Sequence, residues 1–288
     1  MNKIPDNKLS SVKTYFFKEL DVLLGKRECK SYFELCCYSW LGMSKSDLIL
    51  EAGAVLSESQ ILKFLYGIKE FKKSVPLAHV LGEQYFYGLT FNVNKHVLIP
   101  RPETEELVDL IVQENKGEID VLDVGTGSGC IAISLKKSLP NAVVSAVDIS
   151  EGAIEVALSN SLKNNTKVNF VLSDALDLLA SEVSNKKWDV VVSNPPYIPV
   201  QEKLGMDKNV VGYDPDLALF VPDNEPLLFY DAIGHWAKGF LKPTGKLYFE
   251  IHENFGQEVC DLLLGIGFSE VVLLQDLQGK DRIVKAVI

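Results

Sequence analysis

Hydrophobic positions recur at helical spacing over residues 1 to about 75. Residues 10–25 and 57–73 each place their apolar side chains near one face of a helix. Ser57 and Gln60 stand in capping-box register at the start of the second stretch. The two predicted apolar stripes are Val12, Tyr15, Phe16, Leu20 and Leu23, and then Ile61, Leu65, Ile68 and Phe71. With shorter segments around 31–38 and 45–52, this pattern predicts a small helical bundle.

The pattern changes after Pro76. Aromatic and β-branched residues flank Gly88, and residues 89–93 alternate between apolar and polar, which predicts a β-hairpin that links two domains. Helical periodicity resumes from Thr104 to about Asn115.

From Asp120 onward, strand patterns alternate with helix patterns. The predicted strands are Val121–Val124, Ala142–Val147, Val168–Leu172, Asp189–Ser193, Lys246–Ile251, Glu270–Leu274 and Ile283–Val287, and the predicted helices are 129–138, 151–162, 226–240 and 255–265. This alternation favours an α/β fold with a mostly parallel sheet covered on both faces. The last two strands are separated only by a loop, so one of them is expected to be antiparallel. We therefore predict a helical domain over 1–80, a hairpin linker over 81–100 and an α/β domain over 101–288.

Composition places the chain among ordinary globular proteins. It has 288 residues, of which 47% are hydrophobic and 24% charged. No apolar run approaches the roughly 18 residues of a membrane helix, and the first ten residues lack the apolar core of a signal peptide. The five scattered cysteines are expected to be reduced and mostly buried in a cytoplasmic protein: Cys29, Cys36, Cys37, Cys130 and Cys260.

The net charge of −10 is unevenly distributed. Residues 1–80 carry 12 Lys and Arg against 9 Asp and Glu, a net charge of +3, so the remainder carries −13. An acidic α/β domain disfavours a long polyanionic substrate, because phosphate contacts dominate nucleic-acid affinity.

A glycine-rich turn follows the first strand of the α/β domain. Gly125, Gly127 and Gly129 form a G-x-G-x-G pattern between a strand and a helix. Glycine allows a tight turn and lets a ligand approach the backbone, and such turns cradle ligands at the carboxyl ends of parallel strands. Asp148 ends the next strand, where an acid accepts hydrogen bonds from ribose hydroxyls.

Two nucleoside ligands compete for this turn. A dinucleotide site requires G-x-G-x-x-G, and here the third glycine comes one residue early. The spacing instead resembles that of S-adenosylmethionine (SAM) methyltransferases, in which the loop wraps the methionine and ribose parts. That resemblance assigns the loop residues Thr126 and Ser128 to the cofactor. It also places Asp174 near the adenine amine and Ala175 beside the ring.

The fourth predicted strand ends in Asn194-Pro195-Pro196-Tyr197. A planar amide or aryl amine is a poor nucleophile, and it needs acceptors for its N–H bonds. The Asn194 side-chain oxygen and the Pro195 carbonyl supply two acceptors, which the prolines hold rigid. The flat Tyr197 ring packs the planar group, and Asn194 also lies beside the reactive end of the cofactor. We predict methyl transfer to such a nitrogen, with no metal.

Three segments together resemble one family. Residues 76–108, the helical N-terminal domain and "VSNPPYIP" are similar to the HemK/PrmC family, whose most diagnostic block here is residues 99–105. The family are class I SAM-dependent methyltransferases with a Rossmann-like, seven-stranded mixed sheet. They methylate N5 of the glutamine in the Gly-Gly-Gln motif of class 1 peptide chain release factors, in translation termination. The resemblance implies substrate recognition by residues 1–80, S-adenosylhomocysteine as product, and an active-site wall formed by Arg101, Glu103 and Thr104.

This sequence departs from the family at several places. Asp214-Pro215 replaces a Glu-Pro pair, residues 223–230 replace an Asp-Gly-Leu helix start, and Ala175 stands where relatives often have an aromatic residue. Glu250 is retained, and we interpret His252 as structural rather than as a base. We expect a monomer with release factors as partners and without membrane or nucleic-acid partners. The alternative is a nucleic-acid amino-methyltransferase acting on adenine N6 or guanine N2.

Overall fold

The computed structural model describes residues 4–51, 53–205 and 212–288. The chain forms two compact units, which divide between Gly82 and Glu83. Each unit has a hydrophobic core of its own. No helix in the described ranges is long and apolar enough to cross a membrane.

The first unit is helical, as predicted. Its helices are α1 (Leu9–Leu24), α2 (Lys26–Leu41), α3 (Lys45–Leu50), α4 (Glu58–Phe71) and α5 (Leu77–Leu81). Ser57 and Gln60 form the predicted capping box at the start of α4. Phe16, Phe33 and Phe64 pack edge-on or tilted against one another in the core, with ring centroids 5.4–6.4 Å apart.

The predicted stripes are partly wrong at their edges. Leu23 is 52% exposed and Leu65 37% exposed, whereas Phe64 is fully buried. The buried face of α1 is narrower than the predicted one, and that of α4 is shifted toward Phe64 and Gly67. Spacing alone does not decide which flank of an apolar stripe meets its neighbour, because residues three and four apart share a face.

The predicted hairpin is confirmed and belongs to the second unit. Strands β1 (Glu83–Phe86) and β2 (Leu89–Asn92) pair antiparallel around a two-residue turn. Both turn residues, Tyr87 and Gly88, have positive φ (47° and 76°), which matches the right-handed twist of a tight hairpin. Phe86 and Phe91 are buried in a core of the second unit, so the segment predicted as a linker is packed as part of it.

The predicted seven-stranded mixed sheet is confirmed. Its order is β10–β11–β9–β6–β3–β4–β5, and β11 is antiparallel to both of its neighbours. The strands are β3 (Asp120–Val124), β4 (Val143–Asp148), β5 (Asn169–Leu172), β6 (Trp188–Ser193), β9 (Leu241–Glu250), β10 (Glu270–Gln275) and β11 (Asp281–Val287); β7 (Ile198–Pro199) and β8 (Phe220–Val221) form a separate short parallel pair.

Helices and short 3₁₀ segments connect the strands. The helices are α6 (Pro102–Glu114), α7 (Cys130–Ser138), α8 (Glu151–Lys163), α9 (Asp216–Leu219), α10 (Leu228–Phe240) and α11 (Gly256–Ile266), and the 3₁₀ segments are Leu178–Ala180, Glu182–Asn185 and Val200–Gly205. Two apolar clusters cover the sheet, in agreement with the predicted layers. The five cysteines are free and buried, as expected.

Strand β9 starts five residues earlier than predicted. Its first half contains Pro243 and Gly245, which normally interrupt a strand. Its pairing with β6 shifts register between Trp188 and Val190, and this irregularity accommodates them. Beyond it, the carboxyl ends of β3, β4, β6 and β9 meet at one edge of the sheet.

Candidate active site

A cavity of about 260 Å³ opens at the carboxyl edge of the sheet. Its wall combines the turn after β3, the ends of β4, β5 and β6, two loop segments and one face of α10. The lining residues are Lys95–Leu98, Pro100, Arg101, Thr104, Val124–Ser128, Cys130, Ile131, Asp148–Ser150, Ala153, Ser173–Leu176, Ser193–Pro196, Pro215, Leu217, Ala218, Phe229 and Ile233. This is the place at which open α/β sheets bind ligands.

The glycine turn forms one side of this cavity. Gly125 and Gly127 lie in its wall with φ of 76° and 53°, which a residue with a side chain rarely adopts. Gly129 is not among the residues that line the cavity, and it lies where the following helices pack. A Cβ there would lie 2.9 Å from Ile133 Cδ1 and 3.2 Å from Ala157 Cβ, so this glycine allows α7 and α8 to pack closely.

Asp148 holds the turn against the end of β4. The Gly127 N–H donates to its Oδ2 at 2.8 Å, and the Ser150 N–H donates to its Oδ1 at 2.9 Å. Burial raises the pKa of this carboxyl, an effect that the backbone donors only partly offset. Each carboxylate oxygen has further lone pairs, so Asp148 remains able to accept hydrogen bonds from a diol in the cavity.

A second carboxylate, Asp123, supports the same turn from inside the protein. Its Oδ2 accepts hydrogen bonds from the Thr126 hydroxyl at 2.7 Å and the Ala132 N–H at 3.2 Å. Its Oδ1 is buried without a partner among the described residues. Burial raises the pKa of Asp123 to about 7. Asp123 was not predicted as a site residue, although an acid at the end of a strand before a glycine turn was a usable signal.

The end of β5 supplies a further wall. Asp174, Ala175 and Leu176 line the cavity, as do Ile149 and Ser150 from the preceding turn. The Leu176 N–H donates to Asp174 Oδ1 at 2.8 Å, which fixes the orientation of this carboxylate. Ala175 leaves room where a larger side chain would narrow the cavity. The set is a mixture of apolar surface and a few oriented acceptors, which is typical of nucleoside sites.

The loop after β6, the strand that pairs with β3, forms another part of the cavity wall. Asn194, Pro195 and Pro196 line the cavity, whereas Tyr197 lies beside the described wall. The Tyr197 hydroxyl donates to Glu250 Oε1 at 3.3 Å. Burial raises the pKa of this phenol well above its ordinary value.

The ring of Tyr197 packs edge-on against His252, with centroids 5.9 Å apart. The Asn254 N–H donates to His252 Nδ1, and His252 Nε2 lies 3.4 Å from a Glu202 carboxylate oxygen. His252 is outside the described cavity wall. These contacts fit the structural interpretation of this histidine.

Arg101 joins two loop segments at the cavity. Its guanidinium donates to Asp214 Oδ2 at 2.6 Å, and the Ile99 N–H donates to Asp214 Oδ1 at 3.3 Å. The Asp214 side chain is fully buried. Asp214 therefore explains the position of Arg101, because it fastens residues 99–101 to the segment that begins α9. Glu103 is outside the described wall.

The segments 95–98 and 215–218, together with Phe229, are wall residues that sequence reasoning missed. They carry no spacing motif and come from parts of the chain more than 100 residues apart. The departures at Asp214-Pro215 and at residues 223–230 include Pro215 and Phe229, but no role was predicted for either. Among the described residues, no group of three or more His, Cys, Asp or Glu side chains is placed to hold a metal ion.

One buried side chain couples the glycine turn to the hairpin. Asn160 of α8 donates through Nδ2 to the carbonyl oxygens of Ser128 (2.9 Å) and Asn92 (3.0 Å). Its Oδ1 accepts the Asn92 N–H. Asn160 is fully buried, so these bonds are made away from water.

Comparisons with known proteins agree with this arrangement. Residues 103–211 match the family model described as the methyltransferase small domain. A release factor glutamine methyltransferase from Flavobacterium psychrophilum is 40% identical over 282 residues, which cover 96% of this chain and 98% of the relative. One from Bacteroides thetaiotaomicron is 40% identical over 278 residues, with coverage of 96% and 99%.

A solved structure shows the same fold at lower sequence similarity. The crystal structure of a methyltransferase from Pyrococcus furiosus superimposes with a TM-score of 0.51 at 18% identity, and the match covers 80% of this chain and 98% of that one. The fold predicted from the sequence, that of class I methyltransferases, is confirmed.

Proposed function

The chain belongs to the family of release factor glutamine methyltransferases, and on that premise we propose that it methylates the side-chain amide nitrogen, N5, of a release-factor glutamine. The methyl donor is SAM, and the glutamine is the one in the Gly-Gly-Gln motif of class 1 peptide chain release factors. One observation carries the proposal beyond family membership. Asn194 and Pro195 share a cavity with a glycine turn and Asp148, so an amide acceptor site lies within the same enclosure as a nucleoside site.

The residues at the glycine turn fit the cofactor. Gly125 and Gly127 let its methionine part approach the backbone, with Thr126 and Ser128 on the same loop. Asp148 accepts hydrogen bonds from the ribose hydroxyls, and Asp174 from the adenine amine.

The remaining wall residues complete the cofactor site. Ala175 supplies apolar surface beside the adenine ring, and Gly129 holds the helix that follows the turn. When bound, the cofactor supplies a methyl group carried on its sulfonium sulfur, and the rest of the cofactor is the leaving group, a neutral thioether.

The loop after β6 prepares the amide for attack. An amide nitrogen is a weak nucleophile because its lone pair is delocalised into the carbonyl. Asn194 Oδ1 and the Pro195 carbonyl accept its two N–H bonds and so localise electron density on nitrogen and orient the lone pair. Pro195 and Pro196 stiffen these acceptors. As the N–C bond forms, the nitrogen releases a proton to water.

Three further residues belong to the proposed substrate side. Arg101 forms part of the same cavity wall as Asn194 and is held by Asp214. Tyr197 supports that wall from outside through its hydrogen bond to Glu250, and Glu103 is proposed on the resemblance to the family alone. The proposed partner is a release factor rather than a nucleic acid. We propose that the enzyme acts as a monomer in the cytoplasm.

A single-turnover assay with methyl-labelled SAM tests the proposal. Its substrates are an unmodified release factor, the same factor with the motif glutamine changed to alanine, and cellular nucleic acid. We expect label on the unmodified factor alone. Asn194→Ala is expected to reduce the rate at least about 100-fold, because an acceptor that acts in the transition state is lost.

Label in nucleic acid with none on the factor would overturn the proposal in favour of an amino-methyltransferase for bases. Label that persists in the glutamine-to-alanine factor would refute the assignment of the target atom.

A further inference from the structure

A buried chain of side chains leads from Asn194 into the protein. Asn194 Nδ2 donates to Thr104 Oγ1 at 3.4 Å, and the Thr104 hydroxyl donates to Glu250 Oε2 at 2.7 Å. Thr104 is 3% exposed and Glu250 is 1% exposed. The chain connects the last residue of β9 and the first turn of α6 to the loop after β6.

The Glu250 carboxylate sets the direction of both hydrogen bonds. Glu250 Oε2 accepts the proton of the Thr104 hydroxyl, and a hydroxyl has only that one proton to donate. The Thr104 oxygen is then left with lone pairs alone toward Asn194. It therefore selects the NH₂ end of the Asn194 amide, and Oδ1 becomes the end that accepts an N–H from a substrate.

We infer that Thr104 and Glu250 are positioning residues that lock the Asn194 amide in the orientation required for glutamine methylation. The inference rests on the proposed function, since it concerns how the same site holds its substrate. Without the lock, the Asn194 amide is able to turn by 180° and present NH₂ to the substrate NH₂. Two donors would then face each other, and the amide nitrogen would lose an acceptor.

The surroundings of Glu250 favour its role as a fixed acceptor. Tyr197 donates to Oε1 at 3.3 Å, so both carboxylate oxygens receive a hydroxyl. Burial raises the pKa of Glu250, and the Thr104 bond and the charge of Arg282 oppose that rise. The bond from Asn194 Nδ2 to Thr104 Oγ1 is long at 3.4 Å, and it is expected to shorten when the substrate binds.

Two substitutions at Thr104 separate this role from packing. Thr104→Val keeps the shape of the side chain and removes the hydroxyl, whereas Thr104→Ser keeps the hydroxyl and removes a methyl group. We expect kcat for release-factor methylation to fall about 100-fold in Thr104→Val, since a misoriented group costs about that much. Thr104→Ser is expected to restore most of the activity. The Kd for SAM and the KM for the factor should stay near those of the unsubstituted protein.

Glu250→Gln tests the direction of the chain. A glutamine amide is able to donate to Thr104 and so reverse both hydrogen bonds, and kcat is expected to fall by a factor similar to that of Thr104→Val. The double variant should be no slower than the slower single variant, because both substitutions break one unit. Tyr230→Phe is the matched control. It removes a buried hydroxyl that donates to the backbone oxygen of Glu250 at 3.2 Å, outside the chain to Asn194.

The outcomes distinguish this inference from the proposed function. If the unsubstituted protein does not methylate the factor, the proposed function itself fails. If it does, but Thr104→Val retains full kcat or Thr104→Ser is equally impaired, the positioning role is refuted. If Glu250→Gln fails to fold, as judged by its Tm and SAM binding, the Thr104 pair alone decides the question.

Discussion

The two edges of the seven-stranded sheet hold their carboxylates in different ways. At the amino edge, Lys242 donates to Asp120 at 2.8 Å and to Asp189 at 2.7 Å, and Lys186 also donates to Asp120. Burial alone would raise the pKa of Asp120, but the hydrogen bonds from both lysines outweigh it and lower the pKa.

Glu114, at the end of α6, belongs to the same edge. It accepts hydrogen bonds from Lys285 at 2.8 Å and from Tyr248 at 2.7 Å, and Lys246 lies 3.4 Å away. Burial again acts to raise the pKa of this carboxyl, and the donors and lysine charges again lower it.

The carboxyl edge has the opposite balance. Burial raises the pKa of Asp123, Asp148 and Glu250, and their hydrogen-bond donors are hydroxyl and backbone N–H groups rather than lysines. Arg282 lies near Glu250, but its guanidinium pairs with Asp276. Arg101 pairs with Asp214 at this edge, but the hydrogen bonds to Asp123, Asp148 and Glu250 among the described residues come from no lysine or arginine. Such carboxylates reduce stability and are typical of functional sites.

Among the substitutions that test this difference between the two edges, we expect the largest effect at Asp148. Asp148→Asn replaces one acceptor oxygen by a donor that faces a backbone N–H, and it removes the charge beside the cavity. We expect the Kd for SAM, measured by titration calorimetry, to rise about 10- to 100-fold, since hydrogen bonds to charged groups contribute about 1.5–3 kcal/mol.

Asp189→Asn at the amino edge is the matched control for Asp148→Asn. It should leave the Kd for SAM unchanged. Equal weakening by both variants would show that the two edges do not differ in function.

A smaller effect, on stability alone, is expected at the amino edge. Lys242→Met keeps the length of the side chain but removes the cation shared by Asp120 and Asp189. Because this side chain is partly exposed, we expect destabilisation of only about 1 kcal/mol and a Tm lower by about 2–4 °C. The Kd for SAM and kcat should not change. A loss of kcat with unchanged Tm would contradict the separation of the two edges.

The last expected effect concerns the pH dependence of stability. The folded Asp123 has a pKa of about 7 against an ordinary value of 3.8. The folded protein therefore binds the proton more tightly, and this contribution to stability is complete below about pH 4 and lost as pH rises through about 7. Asp123→Asn should reduce the fall in Tm between about pH 5 and pH 8 by about 5–10 °C, because about two pK units of titration lie in that range. An unchanged pH profile would show that Asp123 does not titrate in this range.

The sequence predicted the fold well because its signals are local. The strands and helices of the sheet follow from short apolar runs, and the capping box at Ser57 and Gln60 is a pattern within four residues. The predicted β9 begins only at Lys246, after Pro243 and Gly245, which normally interrupt a strand. In the structure, a register shift against β6 allows both residues within the strand. That shift depends on a neighbouring strand and so lies outside any local pattern.

The candidate site was predictable where its residues directly follow a strand. The glycine turn, Asp148 and the loop at Asn194 follow strands, and the carboxyl ends of parallel strands converge. Asp214 was noted only as a departure, and its partnership with Arg101 was not foreseen. Thr104 and Glu250 are 146 positions apart, and no spacing rule links such residues. Contacts between loops that are distant in the chain depend on tertiary packing, and no short stretch of the sequence indicates them.

The hydrogen bonds of Asn160 have a consequence for motion. The Asn160 side-chain amide holds both Asn92 of the hairpin and Ser128 of the glycine turn. If one of these segments opens while the other stays closed, a buried polar group loses its hydrogen-bond partner. Local unfolding of the two is therefore a shared event with a shared free energy, although 36 positions along the chain separate them. A ligand that orders the glycine turn also slows the opening of the hairpin.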